Sequence, residues 1–353
     1  MRIEEIDKNL KVETSIQKDD IIWLSPKEAP ISIHGLCETE QDMPYHRLPQ
    51  SVAKASNSGV EGLMWHTAGG RIRFATNSPY IAIKAVMNEC GTMPHITKAG
   101  QSGFDLYKYV SGKQLFVATF MPTSGPTKGY ESCINVPAEM NTYNINMPLY
   151  DGVKELYIGL AKDAEIQAAA PYQYEKPVLY YGSSITQGGC ASRPGNAYQG
   201  FIERKFDTDY INLGFSGSAR AEEAMCEYLA SLDVSIFVCD YDHNAPNLEH
   251  LQKTHLPLYK TYRAAKPDTP IVFVSKPDFR GDTDSIARRA AIYETYRIAK
   301  ENGDDNVYFI DGELLFAGEF RDSCTVDGCH PNDLGFYRMG QVIGEVVGKL
   351  LAK

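Results

Sequence analysis

Two adjacent serines, Ser183 and Ser184, stand in the stretch YYGSSITQGG at residues 180–189. They follow an apolar, aromatic run and precede two glycines, so they lie where a buried strand would turn into a helix. A serine at such a turn either caps the helix or acts as a nucleophile, and the hydroxyl becomes a good nucleophile only when a base takes its proton. The question is where that base would come from.

Three other stretches carry polar or small residues at comparable positions. Residues 212–217 and 240–245 each follow a short apolar run, and residues 327–331 lie near the C-terminal end. In open parallel sheets, ligands bind beyond the carboxyl ends of the strands, where such loops gather. These stretches are therefore the candidates for groups that would assist a nucleophile.

The C-terminal half has the pattern of an α/β domain. Its apolar runs are short, rich in β-branched and aromatic residues and without alternation, as expected of strands covered on both faces. Residues with helical spacing, such as Ile286, Ala290 and Tyr293, fill the gaps, and a final helix is predicted over 334–351. We therefore predict a layered α/β domain with a parallel sheet. The apolar runs are PVLYYG (177–182), YINLG (210–214), VSIFVCD (234–240), PIVFVSK (270–276) and VYFIDG (307–312).

The N-terminal half has a different pattern. Apolar and polar residues alternate in several runs, among them RIRFAT (71–76) and KQLFVATFM (113–121). Ser111 and Gly112 separate two such runs, as a hairpin turn would, and no long amphipathic helix is evident. Short alternating strands with turn residues between them indicate an antiparallel, all-β sandwich.

The pattern changes near residues 164–177, and a length of 353 residues suits two domains. We predict a β-sandwich domain over residues 1–170 and an α/β domain over residues 171–353. A hydrophobic content of 43% and a charged content of 23% are typical of soluble globular proteins. The net charge of −10 argues against nucleic acid and against an anionic membrane as a partner.

The sequence also predicts a cytoplasmic location. The eight cysteines are scattered without a CxxC pattern, which is typical of reduced thiols. Residues 1–15 contain no apolar run of the kind found in signal peptides, and no stretch of about 18 apolar residues could span a membrane. The oligomeric state stays open.

The four stretches, taken in chain order, resemble the SGNH or GDSL-type serine hydrolases. The family patterns are G-x-S-[ILT] after the first strand, N-x-x-x-x-G after the second, x-x-N after the third and D-x-x-H near the end. All four occur between residues 182 and 330. The GFDLY stretch at 103–107 is similar to the sandwich domain that precedes the hydrolase in some carbohydrate-esterase-like members. The resemblance implies a three-layer, parallel-sheet SGNH domain preceded by a jelly-roll-like sandwich.

The resemblance implies a role for each member of a Ser-His-Asp mechanism. Ser184, and not Ser183, is the nucleophile by its position in the motif. His330 is the base that takes the serine proton and later gives it to the leaving alcohol. Asp327 would accept the other N–H of the histidine ring and fix its tautomer, although some esterases of this kind support the histidine by a backbone carbonyl instead.

The family arrangement also implies an oxyanion hole. Its donors would be the backbone N–H groups of Ser184 and Gly217 and the side-chain amide of Asn244. Two departures mark a divergent branch: Ser183 stands where the family usually has Asp, and Asp242 stands where it usually has Gly. The substrates of better-known members therefore do not carry over to this chain.

Other residues invite a binding role. Arg193 and Arg220 follow the first and second of these motifs and could contact substrate, but surface salt bridges explain them equally well. His243, His250 and His255 have spacings that place them on different helical faces, and no HExxH pattern accompanies them, so we expect solvated histidines and no metal. The sequence lacks phosphate-loop and dinucleotide-binding patterns, so no cofactor is predicted.

These features predict a serine esterase that removes short acyl groups, most fittingly acetyl, from carbohydrates, with an acetylated oligosaccharide as its small-molecule substrate. The acyl preference follows partly from the resemblance and partly from the lack of a long apolar run near the four stretches. The carbohydrate assignment rests on the sandwich domain by analogy. Two alternatives stay open: an esterase or thioesterase acting on lipids or other small esters, and a catalytically silent glycan-binding protein.

Overall fold

The computed structural model describes residues 16–37, 43–90, 92–122, 127–277 and 281–353, without the side chains of residues 89, 90 and 127. Residues 1–15, on which the prediction of a missing signal peptide rests, lie outside this part of the chain. No cysteine whose side chain is described forms a disulfide.

The chain forms two compact units. The first contains the described residues up to Arg47, Trp65–Tyr172 and Ser192–Gly195; the second contains Leu48–Met64, Gln173–Ala191 and Asn196–Lys353. Segments 48–64 and 192–195 thus belong to a different unit from the residues that flank them in the sequence. Sequence alternation reports local conformation, whereas the assignment of a short segment to a unit depends on its tertiary contacts.

The described strands are, in chain order, β1 (Ile21–Leu24), β2 (Ser32–His34), β3 (Arg71–Thr76), β4 (Tyr80–Cys90), β5 (Phe104–Val110), β6 (Lys113–Phe120), β7 (Thr127–Asn135), β8 (Asn141–Asn146), β9 (Val153–Ala161), β10 (Ile166–Gln167), β11 (Tyr174–Gly182), β12 (Thr208–Gly214), β13 (Ile236–Asp240), β14 (Ile271–Val274) and β15 (Val307–Ile310). The α-helices are α1 (Gln50–Ser56), α2 (Ser58–Leu63), α3 (Lys98–Ser102), α4 (Ser184–Gln187), α5 (Tyr198–Phe206), α6 (Glu223–Ser231), α7 (Leu248–Ala265), α8 (Thr283–Glu301) and α9 (Asp333–Leu351). None of these helices is long and apolar enough to cross a membrane.

The first unit contains two antiparallel sheets. One has the strand order β1-β9-β4-β7, and the other has the order β10-β3-β8-β5-β6 with β2 paired to β3. Apolar side chains from both sheets share one buried core, which includes Ile72, Phe74, Ile83, Ile145 and Ile158. The predicted all-β sandwich is confirmed.

Strands β5 and β6 are joined by the predicted hairpin turn. Ser111 and Gly112 have φ angles of 51° and 76°, and two consecutive positive values are the mark of a type I′ turn, whose twist matches that of the flanking strands. Strands β1, β2, β7 and β10 were not predicted. They are either short or, like TKGYESCIN in β7, poor in alternating apolar residues.

A buried carboxylate holds together one region of the first unit. The Asp105 side chain is fully buried. It accepts hydrogen bonds from the Arg193 guanidinium at 2.8 Å, the Gly195 N–H at 2.9 Å and the Asn146 amide at 2.8 Å. The Tyr107 hydroxyl accepts a further bond from Arg193. Two residues of the GFDLY stretch, Asp105 and Tyr107, therefore hold the segment that contains Arg193 and Gly195.

The second unit contains a five-stranded parallel sheet in the order β12-β11-β13-β14-β15, which confirms the predicted α/β domain. Gly182, the last residue of β11, pairs with Gly214 of β12 and with Asp240 of β13, so three strands end at the same level. The neighbours β12 and β13 lie on opposite sides of β11, and the chain connections diverge there. In open α/β sheets this switch point is where ligands bind.

Helix α8 lies where the spacing predicts a helix, but its predicted apolar stripe faces outward. Ile286 and Tyr293 are each 48% exposed, whereas the helix buries Arg288 and Ile292. The apolar periodicity therefore identifies the helix and not its buried face. Arg288 lies on the buried face, where its guanidinium donates hydrogen bonds to the carbonyls of Asp242 and Ala245.

Asp105→Asn is expected to lower the free energy of unfolding by roughly 2–4 kcal/mol, because it leaves the partly buried Arg193 charge without its carboxylate. Urea unfolding of the full chain, followed by circular dichroism, measures the change. Asp233→Asn is the matched control, since Asp233 pairs with Lys176 at the exposed surface and its loss should leave the midpoint in place. Equal midpoints for wild type and Asp105→Asn would contradict the structural role of this carboxylate.

Candidate active site

The two serines of the opening stretch have different positions in the turn after β11. Ser183 is the N-cap of α4, and its hydroxyl oxygen accepts a hydrogen bond from the Ile185 N–H at 3.2 Å. Ser184 is the first residue of α4. Gly188, with a φ of 106°, ends the helix, and its N–H and that of Gly189 donate to the Ser184 carbonyl. Ser183 is thus the helix cap, whereas the Ser184 hydroxyl has a different partner.

That partner is a histidine. The Ser184 Oγ lies 2.9 Å from His330 Nε2, and His330 Nδ1 lies 2.7 Å from the Asp327 carboxylate. The second oxygen of this carboxylate accepts the backbone N–H groups of His330 at 2.8 Å and Cys329 at 3.0 Å. The structure therefore brings the three predicted residues together in one chain of hydrogen bonds.

The electrostatics of this chain suit proton transfer from the serine. Partial burial of Asp327 acts to raise its pKa, but the hydrogen bonds from His330 and from the Cys329 N–H outweigh burial and lower the pKa to about 2. An ionised Asp327 accepts a hydrogen bond from the Nδ1–H group of His330, which favours the tautomer whose Nε2 can accept the Ser184 proton. This arrangement can activate Ser184 as a nucleophile.

The loop that carries Asp327 and His330 is held by the start of α9. The Asn332 side chain caps α9 by accepting the N–H groups of Leu334 and Gly335, and its amide donates to the Ser323 carbonyl at 2.7 Å. The close spacing of Asp327 and His330 is therefore kept by a short turn directly before a helix.

The second loop presents Gly217. Its φ of 68° is a left-handed conformation that favours glycine, and a Cβ built there would meet no atom within 4 Å. The neighbouring Ser216 N–H donates to the Gln187 side chain at 3.0 Å, which fixes this loop to the Ser184 turn. Backbone conformation requires a glycine here, and the open space beside it leaves room for a substrate.

The third loop presents Asn244. Its side-chain oxygen accepts the Ala219 N–H at 3.2 Å, so the amide group is oriented with its nitrogen left to donate. Within the described residues, neither this nitrogen nor the Gly217 N–H has a hydrogen-bond partner. Both groups can therefore donate to an oxyanion.

Arg288 holds the third loop in place, a role that the sequence did not indicate. Its guanidinium donates to the carbonyls of Asp242 at 2.7 Å and Ala245 at 3.1 Å. The buried Asp242 carboxylate accepts the Lys276 N–H at 3.0 Å, and burial raises its pKa. Asp242, one of the two departures from the family pattern, thus helps to fix the loop that carries Asn244. Because Arg288 is far from this loop in the sequence, no sequence pattern indicates the contact.

The two arginines predicted to contact substrate differ in their surroundings. Arg193 belongs to the first unit, where it pairs with Asp105 and lies 3.9 Å from the centre of the Phe116 ring, so its contacts there are structural. The Arg220 side chain is exposed and has no ion pair among the described residues, while its carbonyl accepts a bond from His250 Nε2. Arg220 directly follows Ala219, the residue that orients Asn244.

One of the three histidines expected to be solvated is a core residue instead. His255 is buried, with its ring 5.8 Å from that of Tyr241 and 4.7 Å from that of Phe273. Burial lowers its pKa to about 3, so the ring is neutral. The prediction was wrong for His255 because α7 turns this position towards the sheet.

Both parts of the chain match known families. Residues 175–348 match the GDSL-like lipase/acylhydrolase family, and residues 21–166 match the family described as the N-terminus of SGNH hydrolase-type esterases, which is named after the motif GxDLY. No curated protein matches the chain.

Several solved structures are similar to the chain over most of their length. A protein described as a GDSL-like lipase, from Bacteroides ovatus, is 31% identical with a TM-score of 0.84, over 94% of this chain and 98% of that one. A salicylyl-acyltransferase from a tetracycline biosynthetic pathway is 17% identical with a TM-score of 0.79, over 95% and 98%. A family two carbohydrate esterase from Clostridium thermocellum, in complex with cellohexaose, is 13% identical with a TM-score of 0.62, over 91% and 99%.

The last two similarities show the fold alone. The first, at 31% identity along nearly the whole chain, agrees with the family match of the C-terminal half. The chain therefore belongs to the GDSL-like lipase/acylhydrolase family.

Proposed function

We propose that this protein is a serine esterase that hydrolyses short acyl esters, most fittingly acetyl esters, of carbohydrates. The observation that carries the proposal is the 2.9 Å contact between Ser184 Oγ and His330 Nε2, with Asp327 on the far side of the ring. Membership of an acylhydrolase family supports the reaction class.

The reaction proceeds through an acyl-enzyme. Ser184 Oγ attacks the ester carbonyl carbon while His330 Nε2 takes its proton, and Asp327 stabilises the imidazolium that forms. The negative charge on the carbonyl oxygen is met by the N–H groups of Ser184 and Gly217 and by the Asn244 amide. His330 then protonates the leaving alcohol, and a water molecule activated by the same histidine releases the acid.

The substrate class rests on two supports. The loops around Ser184 present small and polar residues such as Gly217 and Asn244, which suits a short acyl group on a polar alcohol better than a long lipid chain. The sandwich followed by a parallel α/β unit is also the fold of an esterase solved with cellohexaose. Since function lives in the site, this second support is an analogy of fold.

Wild-type protein is expected to release acetate from at least one member of a panel of acetylated oligosaccharides, with the loss of acetyl groups read by mass spectrometry. Ser184→Ala should abolish the release, because it removes the hydroxyl that lies against His330. Ser183→Ala is the matched control: it removes the helix cap, at about 1 kcal/mol of stability, and should retain turnover.

Other outcomes of that panel would select the alternatives. Hydrolysis of long-chain or thioester substrates without any release from saccharides would replace the carbohydrate assignment. Failure of a fluorophosphonate probe to label Ser184 would support a silent glycan-binding protein. Equal acetate release by wild type and Ser184→Ala would remove Ser184 from the mechanism.

Asp327→Asn is expected to reduce kcat by about 10²–10⁴-fold, because an amide does not hold the histidine in the tautomer that accepts the serine proton. The wild-type pH profile should show no loss of activity from protonation of Asp327 across the ordinary acid range, because the depressed pKa of about 2 keeps Asp327 ionised there. Rates of p-nitrophenyl acetate hydrolysis across the acid range measure both effects. Full activity in Asp327→Asn would mean that another group orients His330.

Asn244→Ala is expected to lower kcat by about 10²–10³-fold with little change in KM, since an oxyanion donor acts mainly in the transition state. Asn141→Ala, in the first unit, is the matched control, because the Asn141 side chain bonds to its sequence neighbours Glu139 and Tyr143 and has no role in the proposed mechanism. A loss confined to KM would assign Asn244 to substrate binding instead.

A further inference from the structure

Asp240 lies beside the Ser184 turn and plays no part in the mechanism described above. It is the last residue of β13, pairs in register with Gly182 of β11 and is 7% exposed. A Cβ at position 182 would overlap the Asp240 carboxylate and the Thr186 hydroxyl. The glycine before the two serines therefore makes room for this carboxylate, and the carboxylate occupies the base of the turn.

The Asp240 carboxylate contacts the turn on both sides of Ser184. It accepts a hydrogen bond from the Thr186 hydroxyl and another from the Ser183 N–H. Its second oxygen lies 3.4 Å from the Tyr198 hydroxyl. The residue before Ser184 and the residue two positions after it are thus tied to one rigid strand end.

Thr186 is held independently through its backbone. Its carbonyl accepts the side-chain amides of Gln199 and Asn212, each at 2.8 Å, and Asn212 is fixed in turn by the Gly214 N–H at 2.9 Å. Loss of the Thr186 hydroxyl would therefore leave the chain path in place. What it would change is the fine position of the turn that carries Ser184.

Asp240 has no ion-pair partner in the part of the chain that the structure describes. Burial raises its pKa to about 7, and the Asp242 charge adds to the rise, whereas the Thr186 hydrogen bond, His243 and the Ser183 N–H act in the opposite direction. A buried carboxyl group without a cation is costly to the fold. The contacts of Asp240 with the Ser184 turn give a reason for its presence at this buried position.

We propose that Asp240 is a positioning residue for Ser184, which it holds against His330 through the Thr186 hydroxyl and the Ser183 N–H. This inference rests on the proposed esterase function. It adds a group that touches no substrate and acts only by setting the nucleophile geometry. Since a misplacement of about 1 Å can cost about 10²-fold in rate, the contribution should fall on kcat.

The experiment compares Thr186→Val with Thr186→Ser, using p-nitrophenyl acetate as the probe and the full-length protein. Valine keeps the shape of threonine and removes the hydroxyl that donates to Asp240; serine keeps the hydroxyl. Thr186→Val is expected to lose about 10–100-fold in kcat, with KM changed by less than about threefold. Thr186→Ser should recover most of that loss. Combining Thr186→Val with Asp240→Asn should add little further loss, because both remove one interaction.

Asp304→Asn is the matched control for Asp240→Asn, because it removes the charge of another aspartate of the same unit that is partly buried. Asp304 accepts the Tyr259 hydroxyl at 2.9 Å and the Arg263 guanidinium at 2.8 Å, among residues not used in the mechanism. It should lower the melting temperature and leave kcat in place. If Asp240→Asn does not fold, the comparison of Thr186→Val with Thr186→Ser still tests the positioning role.

Failure of this inference and failure of the esterase proposal look different. An inactive wild type on every ester would remove the esterase function itself. An active wild type whose kcat is unchanged in Thr186→Val would overturn the positioning role and leave the esterase intact. Equal losses in Thr186→Val and Thr186→Ser would also overturn it, because the hydroxyl would then not be the cause.

Discussion

The register of three parallel strands is the constraint on which the site depends. Gly182 of β11 stands level with Gly214 of β12 and Asp240 of β13. The loops that follow these strands therefore begin at the same edge of the sheet and carry Ser184, Gly217 and Asn244. A shift of one strand by a single residue would move its loop by about 3.3 Å, which is more than the length of a hydrogen bond. The relative positions of these three residues are thus set first by the backbone pairing of the strands.

The two adjacent serines have different roles: Ser183 caps α4, and Ser184 bonds to His330. Ser183 accepts the Ile185 N–H at the start of α4, as an N-cap does. The Ser184 hydroxyl bonds to His330 instead. The family usually has Asp at position 183, and a serine fulfils the same capping need without adding a charge beside the nucleophile. The departure from the pattern is therefore compatible with the arrangement that the pattern implies.

The elements could be predicted where local chemistry dictates them. Apolar runs identified the parallel strands, and the short spacing of Asp327 and His330 placed them in one loop. Contacts between distant parts of the chain could not be predicted. Arg288 holds the Asn244 loop although 44 positions separate Arg288 from Asn244, and Asp105 binds Arg193 across 88. The burial of His255 and the exposure of Ile286 and Tyr293 in α8 could not be predicted either, since a periodic pattern does not indicate which face of a helix packs against the sheet.

Two carboxyl groups near the serine have opposite electrostatic roles because their surroundings differ. Asp327 is partly exposed and accepts an imidazole N–H and two backbone N–H groups, which keep it ionised with a pKa of about 2. Asp240 is buried among hydroxyls and lies near another carboxylate, and its pKa rises to about 7. The negative charge of Asp327 therefore lies behind His330, where it would stabilise the imidazolium of the proposed mechanism. Burial raises the pKa of Asp240, which disfavours a full negative charge beneath Ser184, where it would oppose the oxyanion of the proposed mechanism. The environment, more than the residue type, thus distinguishes the carboxyl group proposed to assist proton transfer from the one proposed to position the nucleophile.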